Sequence, residues 1–355
     1  MVINSSLENN DQKASKKSQI LNADANPSDK KLESDELNNL RPQNFNDYIG
    51  QEKLQEILKI SITAAKQRND LASLGHILLY GPPGLGKTSC AYILAKELGT
   101  NVHIFSAPAL ERPKDILGIL MSVQEGDVVF IDEIHRLNKI TEELLYPALE
   151  DFEVDLNSGK SESARVMRFQ LNKFILIGAT TKLGFISAPL RDRFIHLYRM
   201  EYYKDEELAQ IISKNCPKLK IELDDAAKLM LASRSRGTPR IANRLLRLIR
   251  DFAHYQGKEK VSKDLTSEAL KLYEIDGAGL DAMDQKILAT MIEKYKGGPV
   301  GLDTISMLVG EDKTTIEDYY EPFLVQSGFL MRTPRGRVVT DKAHKYFMEK
   351  TASLN

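Results

Sequence analysis

Cysteine is scarce in this chain: 355 residues contain two, Cys90 and Cys216. They lie far apart and without metal-ligand spacing, so a disulfide framework and a thiolate zinc site are both excluded. They read as small buried residues of a protein kept in a reducing compartment. No apolar run approaches the ~18 residues of a membrane span, and no charged-then-apolar signal opens the chain. A cytoplasmic protein without a membrane partner is expected. Excess charge is missing as well: with a net charge of −1, any basic surface must be local. What remains is 42% hydrophobic and 28% charged, enough for real cores under a solvated surface, at a length that suits two or three domains. Residues 1–39 are rich in Ser, Asn, Asp and Lys and show no sustained apolar period, so a disordered polar arm is expected there.

The strongest signal is Gly81-Pro82-Pro83-Gly84-Leu85-Gly86-Lys87-Thr88, which fits the P-loop pattern G-x-x-x-x-G-K-[ST] at each defined position. The apolar run His76–Tyr80 before it reads as a buried strand, and Ala91–Ala95 after it carries helical spacing. A strand, a glycine loop and a helix in that order aim backbone N–H groups and the positive end of a helix dipole at one point, which suits a triphosphate. Lys87 is expected on the β and γ phosphates, Thr88 on Mg²⁺ and Ser89 near the phosphates. Upstream, Leu54, Ile57, Leu58, Ile62 and Ala65 recur at helical intervals after Leu40-Arg41-Pro42 and Phe45–Gln51. That segment either closes over the nucleotide base or is ordinary linker packing.

Downstream, Asn101–Ser106 reads as a strand, and Val128-Val129-Phe130-Ile131 is a denser one that ends in Asp132-Glu133. Two carboxylates at the carboxyl end of a buried strand, following a P-loop, form a Walker B arrangement. Asp132 is expected to orient Mg²⁺ and its waters, and Glu133 to polarise the water that attacks the γ-phosphate. Glu142–Phe152 reads as a helix. It is followed by alternating residues that suggest a β-hairpin over 152–171, turning at Asn157–Lys160, which serves either ordinary packing or the docking of a partner. The run Phe174–Ala179 is another buried strand, ending in Thr180-Thr181, whose hydroxyls are placed to sense a γ-phosphate. Arg191 and Arg193 follow what reads as the last strand; they are either surface charges bridged by Asp192 or the source of an arginine finger to a neighbouring subunit.

From Lys204 the periodicity is wholly helical, which points to a small lid domain. Gly237-Thr238-Pro239 breaks it and starts a new helix, with Thr238 as N-cap and Pro239 in the first turn. That puts Arg240 at a helix start, where a second phosphate-sensing arginine would be useful; Arg244 and Arg247 read as a solvated basic face. After Gly277 come three helical stretches, Ile287–Tyr295, Leu302–Val309 and Thr314–Gln326. A strand–turn–strand over Phe329–Thr340 completes a winged-helix layout. Arg332, Arg335 and Arg337 place three charges on the wing, suited to phosphate contacts rather than base reading. The fold class expected is therefore an α/β P-loop NTPase with a parallel sheet (40–199), an all-helical lid (200–276) and a C-terminal winged-helix domain (277–355).

Taken together, FIDEIHRL (130–137), LLYPALED (144–151), GATT (178–181), PLRDRF (189–194), SRSRGTPRIANRLL (233–246), GGPVGLD (297–303) and GFLMRTPRGR (328–337) closely resemble the RuvB family. These are bacterial AAA+ motors of Holliday junction branch migration, and the resemblance runs from about Leu40 to about Phe347. It implies ATP hydrolysis with Mg²⁺, a homohexameric ring on duplex DNA at four-way junctions, docking of the junction-recognising partner RuvA through the 152–171 hairpin, and a RuvC-type resolvase in the wider complex. By position it implies that Leu40, Arg41 and Tyr48 border the adenine, that Gly84, Gly86, Lys87, Thr88 and Ser89 hold the phosphates and Mg²⁺, and that Glu150, Asp151 and Phe152 lie along the nucleotide or subunit interface. Arg193 becomes the finger in trans, Tyr203 approaches the nucleotide, Arg240 is the second sensor, and Arg332 and Arg337, with Arg335 close by, meet DNA. The chain departs from the family pattern at Ser89 (usually threonine), at Ile195 (usually glycine), in the hairpin turn Gly159–Ser163, which lacks a proline, and in a slightly longer Leu71–His76 approach. A clamp-loader or initiator ATPase, and an ATP-switched DNA-binding scaffold that does not translocate, are the alternatives; the first should lack this wing sequence, the second has no need of Glu133 and Arg193.

Overall fold

The structure, a computed structural model of the whole chain, describes residues 39–158 and 165–352. They fall into an N-terminal unit, Met1–Arg41, and a second unit, Pro42–Asn355, which carries every element named below. The expected polar arm, apart from Asn39, lies outside the described residues, as does the hairpin turn from Gly159 on.

Five parallel strands form the central sheet: β1 (Ile77–Tyr80), β2 (Val102–Ser106), β3 (Val128–Asp132), then, beyond a hairpin of β4 (Glu153–Ser158) and β5 (Arg165–Gln170), β6 (Ile175–Thr180) and β7 (His196–Arg199). Their order is β2-β3-β6-β1-β7, with Phe130 level with Ile177 and Leu79 level with Ala179. The three central strands are apolar at nearly every position because helices cover both faces, which is why they are dense runs rather than alternating ones. Residues after the carboxyl ends of neighbours β3, β6 and β1 converge, the place where such sheets bind ligands.

Helix α1 (Glu52–Arg68) precedes β1, and α2 (Lys87–Leu98) starts inside the P-loop. On one face, α3 (Pro113–Leu120) and α4 (Lys139–Glu150) bury Ile116, Leu120, Leu145 and Leu149 against Val129, Ile131, Phe174 and Leu176. The expected helix 142–152 is displaced: Asn138 caps its start by accepting from the Thr141 N–H, and Phe152, at φ 56°, stands outside its end. The strand β7 comes after the one read as last; its alternating burial gave no dense apolar run to find.

One buried histidine ties α4 to the sheet. His76 donates from Nε2 to the Leu149 carbonyl (2.9 Å), accepts at Nδ1 from the Leu176 N–H (3.0 Å), and lies against the rings of Phe152 and Phe174. Both ring nitrogens are committed to the neutral form, and burial pulls its pKa from 6.5 down to about 4. A depressed folded-state pKa gives stability that is complete above the unfolded value and lost as pH falls through the folded one. The acid limb of the stability curve between pH 6.5 and 4 should therefore carry up to about 3 kcal/mol from this residue. Urea melts across that range should flatten in His76→Gln; an unchanged slope would rule the assignment out.

The lid holds α5 (Asp205–Asn215), α6 (Asp225–Ser233), α7 (Pro239–Tyr255) and α8 (Lys263–Leu272). It is not wholly helical, since Glu222–Leu223 and Lys260–Val261 pair as two short parallel strands. Thr238 occupies the cap position of α7 but makes no cap: its hydroxyl donates to the Ser235 carbonyl instead. The head begins with α9 (Ala282–Tyr295) and α10 (Leu302–Val309). The expected single helix 314–326 is interrupted: Lys313–Thr315 and Glu321–Gln326 are α-helical, and Ile316–Tyr320 between them is a π-turn. Its extra residue per turn is invisible to a 3.6-residue count. The wing pairs Leu330–Thr333 with Gly336–Val339, and Val300 bridges to Arg337. A last helix, Asp341–Ala352, closes the described head.

Candidate nucleotide site and wing

The P-loop leaves β1 with Gly81, whose N–H donates to the Thr180 carbonyl (3.1 Å), so its start is pinned to the end of β6. Gly84 and Gly86 stand at φ 83° and 97°, a region open to glycine at little cost. Space is the second reason for them. A Cβ on Gly86 would lie 3.3 Å from the Tyr48 hydroxyl, and one on Gly84 would lie 2.9 Å from Cβ of Arg240. Tyr48, Tyr203 and Arg240 thus enclose the loop. Tyr203 donates to the Leu85 carbonyl (3.2 Å), and the Tyr48 hydroxyl is buried close to that of Tyr203. Burial raises the pKa of both tyrosines well above the ordinary phenol range, so they remain neutral donors.

Lys87 opens α2, with Thr88 and Ser89 half-buried in its first turn, where N–H groups have no intrahelical acceptor. The Lys87 ammonium donates to the carbonyls of Gly81 (2.8 Å) and Pro82 (2.7 Å). Burial lowers its pKa to about 8; Asp132 opposes that shift and Arg240 adds to it, so both charges act at the same ammonium. Asp132 ends β3 and accepts from the Glu133 N–H (2.9 Å). Glu133 sits at φ 52°, a left-handed conformation rare outside glycine, asparagine and aspartate, with its carboxylate paired to Arg136 (2.8 Å). Thr180 is buried and shares a hydrogen bond with His135 Nδ1 (2.9 Å), whereas Thr181 is exposed. Sequence reading missed His135 and Arg136, although both stand in the quoted FIDEIHRL stretch; nothing in residue type announces their partners.

Arg240 lies in the first turn of α7 with its N–H directed to the Gly84 carbonyl (3.3 Å), so the lid touches the loop itself. Arg193 does not join this group. Its guanidinium pairs with Glu150 (3.0 Å), donates to the Pro189 carbonyl (2.6 Å) and lies 4.4 Å from the centre of the Tyr146 ring. Asp151 caps the end of α4 and is exposed. Phe152 turns inward against His76 and Phe174, so its packing is that of the core. Leu40 and Arg41 belong to the N-terminal unit. Ile195 is 70% exposed and lies over Gly75, where a Cβ would come within 2.4 Å of its Cδ1.

On the wing, Arg332 and Arg337 are not free charges. Both bond to the buried Glu321, Arg337 bidentately at 3.1 Å, and Glu317 lies 3.7 Å from each. Arg335, in the turn, is exposed. Because phosphate contacts release counterions in proportion to the charges neutralised, Arg335→Ala is expected to reduce the slope of log affinity against log salt by about one. Titration of duplex DNA at several ionic strengths reads this, and an unaltered slope would remove Arg335 from the contact set.

A parallel sheet bearing a P-loop, an acidic strand end and an adjacent threonine, topped by a helical lid whose arginine meets the loop, defines an AAA+ ATPase. This one carries a winged-helix head. Residues 40–200 match the Holliday junction DNA helicase RuvB P-loop domain, 203–276 the RuvB AAA lid domain and 277–348 the RuvB C-terminal winged helix domain. The Holliday junction branch migration complex subunits RuvB of Trichormus variabilis and of a Nostoc species are each 52% identical over 307 residues, spanning 86% of this chain and 83% of theirs. The solved Thermotoga maritima RuvB Holliday junction branch migration motor superposes with a TM-score of 0.77 at 45% identity, covering 87% of this chain and 98% of that one. The chain belongs to the RuvB family, the ATP-driven motors of Holliday junction branch migration.

Proposed function

We propose that the chain works as a homohexameric ring on the arms of a four-way junction, with Lys87, Thr88, Ser89, Gly84 and Gly86 holding the phosphates of ATP. Thr88 and Asp132 would hold Mg²⁺, which neutralises charge on the phosphates. Glu133 orients the attacking water, Thr180 and Thr181 report on the γ-phosphate, Arg240 senses it from the lid, and Tyr48 and Tyr203 border the base. Glu150 and Asp151 lie along the subunit boundary. Three domains at 40–199, 200–276 and 277–355 divide these tasks.

One observation carries the reading: the Arg240 N–H meets the Gly84 carbonyl, which supports coupling of the lid to the phosphate loop. Arg193, whose partners Glu150, Pro189 and Tyr146 all lie outside the P-loop, is assigned to a neighbour's nucleotide. The hairpin supports docking of RuvA: Val154 is buried and anchors it, while Met167 is 48% exposed. Arg332, Arg335 and Arg337 serve the DNA backbone, a RuvC-type resolvase acts in the wider assembly, and the compartment is the cytoplasm; no helix among the described residues is long and apolar enough to cross a membrane.

The direct test is ATP-dependent dissociation of a synthetic four-way junction with RuvA present. Loss of the junction supports the reading. Hydrolysis that leaves the junction whole would overturn it.

A further inference from the structure

The segment Ser235–Arg240 does more than start the sensing helix. Arg240, at one end, touches the ATPase domain, and Arg236, near the other, touches the head. At Arg240 the N–H meets the Gly84 carbonyl of the P-loop, and at Gly237 the carbonyl accepts from the Tyr203 N–H (2.9 Å), where the chain leaves the ATPase domain. Between them and the head stands Arg236. It is 7% exposed and sits at φ 53°, a conformation that a long side chain adopts only when its surroundings hold it there.

Those surroundings belong to the head. Arg236 donates from Nε to the Gly279 carbonyl (3.0 Å) and from Nη2 to Asp281 (2.9 Å) and Asp284 (2.6 Å), and its guanidinium lies 4.5 Å from the centre of the Phe323 ring. Asp281 and Asp284 are also the capping box of α9: Asp281 accepts from the N–H groups of Met283 and Asp284, and Asp284 accepts from that of Asp281. The guanidinium therefore grips the first turn of the head's first helix, through carboxylates that the helix itself orients, and through an aromatic ring two residues beyond Glu321. Asp284 is fully buried and its second oxygen has no partner, so the cluster has no water-exposed substitute for Arg236.

We propose that Arg236 is the positioning residue that makes the lid's phosphate-sensing end and the DNA-binding head move as one body. Only three residues, Gly237, Thr238 and Pro239, separate it from Arg240 along a backbone fixed at both ends, so a shift of Arg240 at the P-loop is carried into α9 without slack. The planar fork is what the site uses: one Nη2 shared by two carboxylates, Nε to a carbonyl, and a flat face on a ring. A lysine offers charge but neither the fork nor the face.

The inference rests on the motor reading above, and its test separates the two. The full chain is assayed for ATP hydrolysis and for junction dissociation in parallel, as wild type, Arg236→Lys and Asp284→Asn, with thermal melting as a check on folding. Asp284→Asn keeps the shape and the capping oxygen, so it loosens the grip from the head's side without removing Arg236. The expected result is DNA-free ATP turnover within about twofold of wild type in both variants, and junctions dissociated per ATP reduced about tenfold or more. If hydrolysis and dissociation fall in equal proportion, or if neither changes in either folded variant, Arg236 is a structural ion pair and the proposal is wrong. A wild-type protein that hydrolyses ATP without dissociating junctions would instead overturn the motor reading.

Discussion

Arg193→Ala should lower ATP turnover of the assembled protein about 10³-fold while leaving nucleotide binding intact, since a finger supplied to a neighbour acts only on the transition-state charge. The geometry makes the result informative. Within its own chain the guanidinium is held by Glu150, Pro189 and Tyr146, and the Glu150 carboxylate is half exposed, so removing the arginine disrupts a partly solvated pair worth little to stability. Melting temperature should hardly move. Mixing gives the decisive arm. Lys87→Ala chains have no working P-loop but still carry Arg193, and Arg193→Ala chains have the reverse defect. Combined, they should regain hydrolysis that neither shows alone. A mixture as inactive as its components would place the action of Arg193 in cis.

Glu133→Gln should reduce hydrolysis by 10²-fold or more, the usual scale for a lost general base, and bind ATP as wild type does. The second half of this prediction comes from the backbone. A glutamate at φ 52° carries a conformational cost on the order of 1 kcal/mol or more that its surroundings sustain. Glu133→Gly removes the carboxylate and the strain together. It should be as inactive as Glu133→Gln yet melt at a higher temperature, despite losing the Arg136 pair, which is solvated on both sides and of small weight. A glycine variant less stable than the glutamine one would mean that the left-handed turn is not strained.

The elements that could be read from residues alone were those with a fixed local grammar. Gly81–Thr88 specifies its loop because glycines at 84 and 86 meet both a backbone and a space requirement, and the Val128–Asp132 run specifies a strand buried on both faces. The strand β7 was not legible, because an edge strand of alternating burial looks like a loop. Nor was the π-turn Ile316–Tyr320, whose residues are ordinary helix formers. In the candidate site, Lys87, Asp132, Glu133 and Arg240 were legible as candidates because motif and position coincide. His135, Arg136 and Arg236 could not, because what gives each its place is a partner far along the chain or a backbone angle: Thr180 for the first, the twist at Glu133 for the second, the cap of α9 for the third. The packing of Phe152 was not legible for a related reason. An aromatic residue at a helix end carries no sign of whether it faces a neighbour or the core, and here two rings of the core receive it.

The wing offers a consequence of a different kind. Its two strand arginines share Glu321, a carboxylate only 1% exposed. A phosphate that drew both Arg332 and Arg337 outward would leave that carboxylate without a partner inside the head, and an unpaired interior charge is strongly unfavourable. If the wing holds a DNA phosphate through those two arginines, as proposed, it would act as a ratchet pawl on a return spring, each grip loading the force that ends it.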